Sequence, residues 1–388
     1  MSGHFDWASL PTEIWMICLQ DSLGKESFRR AMELRSVNRQ FRSMIDVFLA
    51  QGQAMTIRLP LSWGRPLNWV MGLISRKCPD LRSLSVRHNH DLTDAILAAI
   101  PAQFPKLETI DLYNPGTDIT DDGISALGQL QQLKSISIIP SPDSLLTPAG
   151  IAHVVKERVD TLDSLMLVKP YLDEDAYAAV AKCTKLKKLC LTYDAITNDQ
   201  FQAIARGCPN LASMTITNNE EHIKFEVPMP KIKKMYLGLD YSRVAAKHVE
   251  SLVACCPNVV DLSLSNNEGV EGLELLAGLK HLTRLHISNA RVGDADFETI
   301  ASCCPNLTHL SLYYNPGRFT FRGLSKLKKL TKLNVSYCGI TDEQLATIVQ
   351  VVAGGSLRLL EVRSSDVTEE IREWAVEQLR AQKCFIQF

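Results

Sequence analysis

The sequence predicts an α/β chain: a short N-terminal helical segment, then a curved solenoid with parallel strands on its concave face and helices outside. Three observations carry this expectation. The pattern L-x-x-L-x-L returns along most of the chain at spacings of 21 to 29 residues. Between its copies lie turns and stretches of helical periodicity, such as "DEQLATIVQVV". The first fifty residues contain none of it and read as short helices.

In chain order, the expected division is 5–50 for the helical head and 51–388 for the repeats. In the head, Pro11 suits a first helical turn and Glu13 favours that N-terminus. Leu10, Ile14, Ile17 and Cys18 share one helical face, and Leu34, Val37, Phe41 and Ile45 form a second stripe. Some fifty residues are few for an independent core, so the head is expected to need a partner or the adjoining repeats.

The repeats begin at Leu81, Leu107, Leu133, Leu162, Leu186, Leu211, Ile232, Val259, Leu282, Leu307, Leu330 and Leu357, with "AMTIRL" from Ala54 as an opening strand. That period is the leucine-rich-repeat period, giving about twelve to thirteen repeats including terminal caps. One unit cannot bury its own apolar side; stacked units close a continuous core between strands and helices. Asn89, Asn219, Asn267 and Asn315, with Cys338 in the same place, stand where a side chain can satisfy backbone groups at the turn. Thr197 with Gln200, and Thr341 with Gln344, fit the capping box that starts a helix.

Cysteine precedes proline at Cys78, Cys208, Cys256 and Cys304, twice as a doubled cysteine. Proline ends the helix and pushes the preceding residue to extended geometry, so a thiol there is expected to pack inside the turn. The competing reading is metal or redox chemistry, but the C-x-x-C loops of structural zinc sites are missing from the sequence. Eleven cysteines without such spacing fit reduced thiols.

Lys plus Arg is 42 against Asp plus Glu 43, so overall charge makes no case for nucleic acid or a membrane surface as partner. No run approaches the length of a membrane span, and the start lacks a signal-peptide pattern, so a cytoplasmic or nuclear chain is expected. Phosphate-loop, dinucleotide, zinc-protease and serine-hydrolase motifs are lacking, so the expectation is no enzyme, no cofactor and no metal.

"CP-x-L" before the strand and "ITD" after it resemble the cysteine-containing subfamily of leucine-rich repeats, across most of residues 75 to 388. In the head, "LPTEIW" followed by "LRSVNRQFRSM" resembles an F-box. The resemblance is carried by Leu10, Pro11, Ile14, Val37, Arg39 and Phe41; the connection between its two halves is about four residues longer than the short family form, and Phe41 stands where tryptophan is frequent. Such a head implies docking on a Skp-type adaptor that joins it to a cullin and a RING subunit. The architecture implies the substrate receptor of an SCF-type ubiquitin ligase in ubiquitin-dependent protein catabolism, with catalysis on the partner subunits. A plain protein-protein interaction scaffold is the alternative.

The non-leucine strand positions offer a surface for a protein substrate. They include Arg87, Asp111, Tyr113, Lys188, Tyr193, Lys234 and Tyr236. Further along come Asp261, Arg284, His286, His309, Tyr313, Tyr337, Glu361 and Arg363. Tyrosine and arginine are frequent anchors of interfaces. Lys188 and Lys234 occupy equivalent positions two repeats apart, which suits an acidic or phosphorylated segment. Two places break the period: "IIPSPDSLLTPAG", an enlarged loop, and "NNEEHIKFEVPMPKIKKM", where Pro228 and Pro230 leave no room for a helix.

Overall fold

A computed structural model describes residues 56–59 and 66–388, apart from 142, 170–171, 195, 220–222, 240–243, 266–268, 318 and 364. The F-box-like head, with Leu10, Pro11, Ile14, Val37, Arg39 and Phe41, lies outside the described residues, as does Asn267.

The chain divides into two compact units, Met1–Lys185 and Leu186–Phe388. The first carries the strands β1 (Thr56–Leu59), β2 (Ser83–Arg87), β3 (Thr109–Tyr113), β4 (Ser135–Ile139) and β5 (Ser164–Val168). Each pairs in parallel with the next, without a slip. The second carries β6 (Lys188–Thr192), β7 (Ser213–Asn219), β8 (Lys234–Leu239), β9 (Asp261–Ser265) and β10 (Arg284–His286). It continues with β11 (His309–Ser311), β12 (Lys332–Asn334), β13 (Leu359–Glu361) and β14 (Phe385–Gln387). Again every strand pairs in parallel with its sequence neighbour. This is the expected leucine-rich-repeat fold, with one more strand than the repeat pattern announced. The β14 segment is too short to show L-x-x-L-x-L, but Ile386 is buried under the last helix as a strand leucine would be.

Each connection returns the chain to the start of the next parallel strand, which requires a crossover. Repeat length selects its form. Units of 25 to 29 residues, such as those from Leu186 and Leu330, use helices Asn198–Gly207 and Asp342–Val352. The 23-residue units from Val259 and Leu307 use 3-10 segments, Leu273–Gly278 and Arg322–Lys326. A 3-10 turn rises about 2.0 Å per residue and so spans the same distance with fewer residues. The shortest unit, from Leu211, has no helix in its described crossover, as its prolines imply. Ile223, Phe225 and Met229 fill the core there instead, with Phe225 edge-on to Phe201 at 5.2 Å.

The Cys-Pro-x-Leu phrase is a turn with two jobs. Cys78, Cys208, Cys256 and Cys304 are helix C-caps, each donating its N–H to the carbonyl four residues back. Each then accepts at its own carbonyl from the first strand leucine, or Val259, at 3.1 to 3.3 Å. Proline at the second position suits such a turn. All four thiols are buried, and burial pushes those of Cys78 and Cys256 up to about 12. They are packing groups rather than nucleophiles.

The "T-D" signal carries more than a cap. Both expected capping boxes form, at Thr197/Gln200 and Thr341/Gln344. The aspartates at the helix starts also reach one repeat forward. Asp94 accepts from the N–H and hydroxyl of Thr120 at 2.9 and 2.6 Å. Asp121 does the same for Thr147, Asp294 for Thr320, and Asp342 for Thr368. The helices approach closely at these points: a Cβ on Gly150 would lie 2.9 Å from Asp121 Oδ1. Replacing Asp342 by alanine should destabilise the C-terminal repeats by about 1 kcal/mol, since the exposed Thr368 groups can turn to water. Hydrogen exchange over Glu369–Arg380 checks this; unchanged protection would contradict it.

Candidate functional site

The strand leucines point to the core, so the intervening residues stand on the opposite face of each sheet in rows set by the register. Counting two residues on from the first apolar position of each repeat gives one row. In the first unit that row holds Ser83, Thr109, Ser135 and Ser164. In the second it runs Lys188, Ser213, Lys234, Asp261, Arg284, His309 and Lys332. Ionisable groups are thus concentrated on one unit. Lys188 and Lys234, both exposed, flank Ser213 as the sequence implied, about 10 Å apart at the usual strand spacing.

In the first unit, Arg87 and Tyr113 are register partners. The Arg87 guanidinium lies 5.6 Å from the Tyr113 ring centroid and 2.6 Å from Asp111. Asp111 also accepts from Ser85 at 2.8 Å. One row toward the strand start, Glu108 bridges Arg82 and Lys134; the hydrogen bond from Lys134, and then the two positive charges, hold its carboxyl below the usual carboxylate range. These cations all have an acid beside them.

In the second unit the centre of the polar face is Asp261. The sequence reading placed it among the exposed positions; the structure corrects this, with only 3% of Asp261 accessible. Its neighbours fold over it. The Tyr236 hydroxyl donates to Oδ2 at 2.9 Å, and Arg284 Nε donates to the same oxygen at 3.0 Å. Burial and that bond push the Tyr236 phenol up to about 12. Asp261 Oδ1 has no hydrogen-bond partner, and His286 Nε2 lies 3.7 Å from it.

His286 and His309, both half-buried, sit below the ordinary histidine range, first because of the partial loss of water around them. The Asp261 charge opposes the shift at His286; Arg284 and Lys332 reinforce it at both. They are neutral at neutral pH. Lys332 lies 3.2 Å from Glu361, and Arg363 bonds Gln387 on the last strand at 2.8 Å.

Beyond the strand ends runs a second feature. After seven of the five-residue strand windows the next residue turns left-handed, with φ between 46° and 60° at His88, Asn114, Lys169, Tyr193, Asn289, Tyr314 and Tyr337. Its N–H reaches the carbonyl of the next repeat, as from Tyr314 to Ser336 and from Tyr337 to Arg363. Asparagine or glycine takes this conformation most readily; a bulky side chain is strained there. Tyrosine nevertheless occupies it at Tyr193, Tyr314 and Tyr337. Tyr314 and Tyr337 join Tyr313 in a cluster with ring centroids 5.2 to 6.2 Å apart, leaving the three side chains 40 to 51% exposed. The rings touch one another, so they form a platform rather than an open cage.

Sequence reasoning named Tyr313 and Tyr337 but missed Tyr314, which lies past the strand period, and Lys332. The signal for Lys332 was present: it stands two residues after Leu330, in the same phase as Lys188 and Lys234. Tyr193 lies on the second unit's first corner.

Comparison with known proteins supports the repeat reading. A family model for the Leucine Rich repeat matches residues 77–100 and 326–347, so the chain carries leucine-rich repeats. It is similar to the crystal structure of an internalin (inlF) from Listeria monocytogenes, with 19% identity and a TM-score of 0.52 over 81% of this chain and 82% of that one. It is also similar to a chain of the Rad7 and Elc1 complex in yeast, with 14% identity and a TM-score of 0.58 over 94% of this chain and 96% of that one. At these identities the likeness is one of fold. No curated protein matches the sequence. Among the described residues, no helix is long and apolar enough to cross a membrane.

Proposed function

We propose that the chain is the substrate-recognition subunit of an SCF-type ubiquitin ligase, binding a Skp-type adaptor through its head and a target protein through its repeats. The observation that carries the target-binding half is the sheet face of the second unit. There, charged side chains held in register share their strands with three exposed tyrosines, two of them displayed at the left-handed corners that recur along the repeats. A rigid array of parallel strands holds such groups at fixed spacing, so little ordering is needed when a partner arrives.

The ligase half rests on the F-box resemblance of "LPTEIW" and "LRSVNRQFRSM". The similar fold of a chain from a complex between two proteins, Rad7 and Elc1, accords with a partner-binding role. In this reading the chain performs no bond chemistry. It raises the effective concentration of the target beside the transfer machinery supplied by cullin and RING subunits.

Tagged intact chain should co-purify a Skp-type adaptor and a cullin from cells. The double variant Leu10→Ala/Pro11→Ala should lose both, with circular dichroism unchanged because the repeats remain folded. Repeats that hold a protein target while the intact chain recovers no adaptor would replace the ligase reading with that of a protein-binding scaffold.

A further inference from the structure

Arg284 is arranged as an anion receptor. Its Nε is held by the buried Asp261, which is itself clamped by the Tyr236 hydroxyl. Its terminal guanidinium nitrogens make no hydrogen bond within the described structure, and its side chain is 35% exposed. A guanidinium fixed through Nε presents its remaining donors as a fork matched to a carboxylate. The next two strands place His309 and then Lys332 in the same register row, about 4.8 Å apart per strand.

The tyrosine platform lies at the other end of the same strands. Tyr313 follows His309 by four residues, which is about 13 Å along a strand. An extended segment laid along the strands covers that distance in about four residues.

We propose that this face binds an extended acidic segment of a partner protein. A carboxylate enters the Arg284 fork beside Lys332, and an apolar or aromatic side chain about four residues away seats on Tyr313, Tyr314 and Tyr337. The proposal rests on the reading of the repeats as the target-holding surface and names the chemistry of that target. Charge selects carboxylate over phosphate. Asp261 behind Arg284 and Glu361 beside Lys332 already neutralise much of the local positive charge, and a phosphate of nearly two negative charges would face both acids.

The test is selection of a displayed random 12-residue peptide library, with a phosphoserine-containing synthetic set in parallel, on the intact chain. Enriched peptides should carry Asp or Glu three to five positions from a large apolar residue. Their affinity should fall about 10- to 100-fold on Lys332→Gln combined with Tyr313→Ser, two partly exposed changes that leave Asp261 paired. The double variant Asp261→Asn/Arg284→Gln, which removes the buried pair together, should weaken them similarly. Enriched peptides without an acid, peptides that bind these variants equally well, or a preference for phosphoserine over glutamate would overturn the proposal while leaving the receptor reading intact. No enrichment on the intact chain would overturn both. Loss of adaptor binding alone would sink the ligase reading and leave the peptide site standing.

Discussion

Replacing Asn315 by alanine is expected to cost about 3 to 5 kcal/mol, because four buried backbone groups lose their partner at once and such groups cost roughly 1 to 3 kcal/mol each before relaxation. Asn315 is wholly buried. Its Oδ1 accepts from the N–H groups of Ala290 and Val292 at 2.9 and 3.2 Å. Its Nδ2 donates to the carbonyls of Ile287 and Leu312 at 2.6 and 2.9 Å. These groups lie in the loop of the preceding repeat and in its own, so one side chain joins two repeats. Alanine returns none of these bonds, and the site is closed to bulk water. Urea unfolding of the intact chain measures the effect. Asn306→Ala serves as control, since the bond it accepts from Lys329 lies on the surface and should be worth less than about 0.5 kcal/mol. A midpoint shift at Asn315 no larger than the control's would show that the repeat is not held through this residue.

The second large effect concerns Asp261 and Arg284. Arg284→Met should destabilise the protein by about 3 kcal/mol, because it leaves a carboxylate that is 3% accessible with Tyr236 as its remaining donor. Asp261→Asn should cost less, about 1 to 2 kcal/mol, because Arg284 can extend toward water while Asn keeps an acceptor for Tyr236. The double variant should then be more stable than the sum of the singles implies, by more than about 1 kcal/mol, as expected of directly bonded neighbours. Chemical denaturation of the four proteins completes the cycle. Strict additivity would mean that Asp261 does not hold Arg284, and the anion receptor would lose its foundation.

How much of this could be read in the chain beforehand differs from residue to residue, for one physical reason: range. The Cys-Pro-x-Leu turn, the Thr197 and Thr341 caps and the leucine phase are decided within a few residues. They repeat, so each copy reinforces the interpretation of the others. Asn315 was legible for the same cause, though its role as a joint between repeats needed the bonds to Ala290 and Ile287. The forward reach of Asp94, Asp121, Asp294 and Asp342 was not foreseen, because the sequence shows the helix start but not which neighbouring backbone lies above it.

The site divides along the same line. Alternation showed that Arg284, His309 and Tyr313 stand on the face opposite the leucines, whereas Tyr337 lies one residue past that phase, at a left-handed corner like that of Tyr314. It could not show that Tyr236 and Arg284, 48 residues apart, close over Asp261 and bury it. Nor could it place Tyr314 with Tyr313 and Tyr337, since that contact depends on a left-handed corner and on the next repeat.

By itself, then, the sequence determined the repeat, its period and the inward leucines, and it offered the F-box resemblance from which a partner is proposed. These follow from local turn chemistry and from the need of each repeat to bury one face. Only the tertiary structure decided which charges are buried, which are paired and which remain available. Those outcomes depend on parallel register, which brings residues more than twenty positions apart to within hydrogen-bonding distance while leaving the terminal nitrogens of Arg284 open.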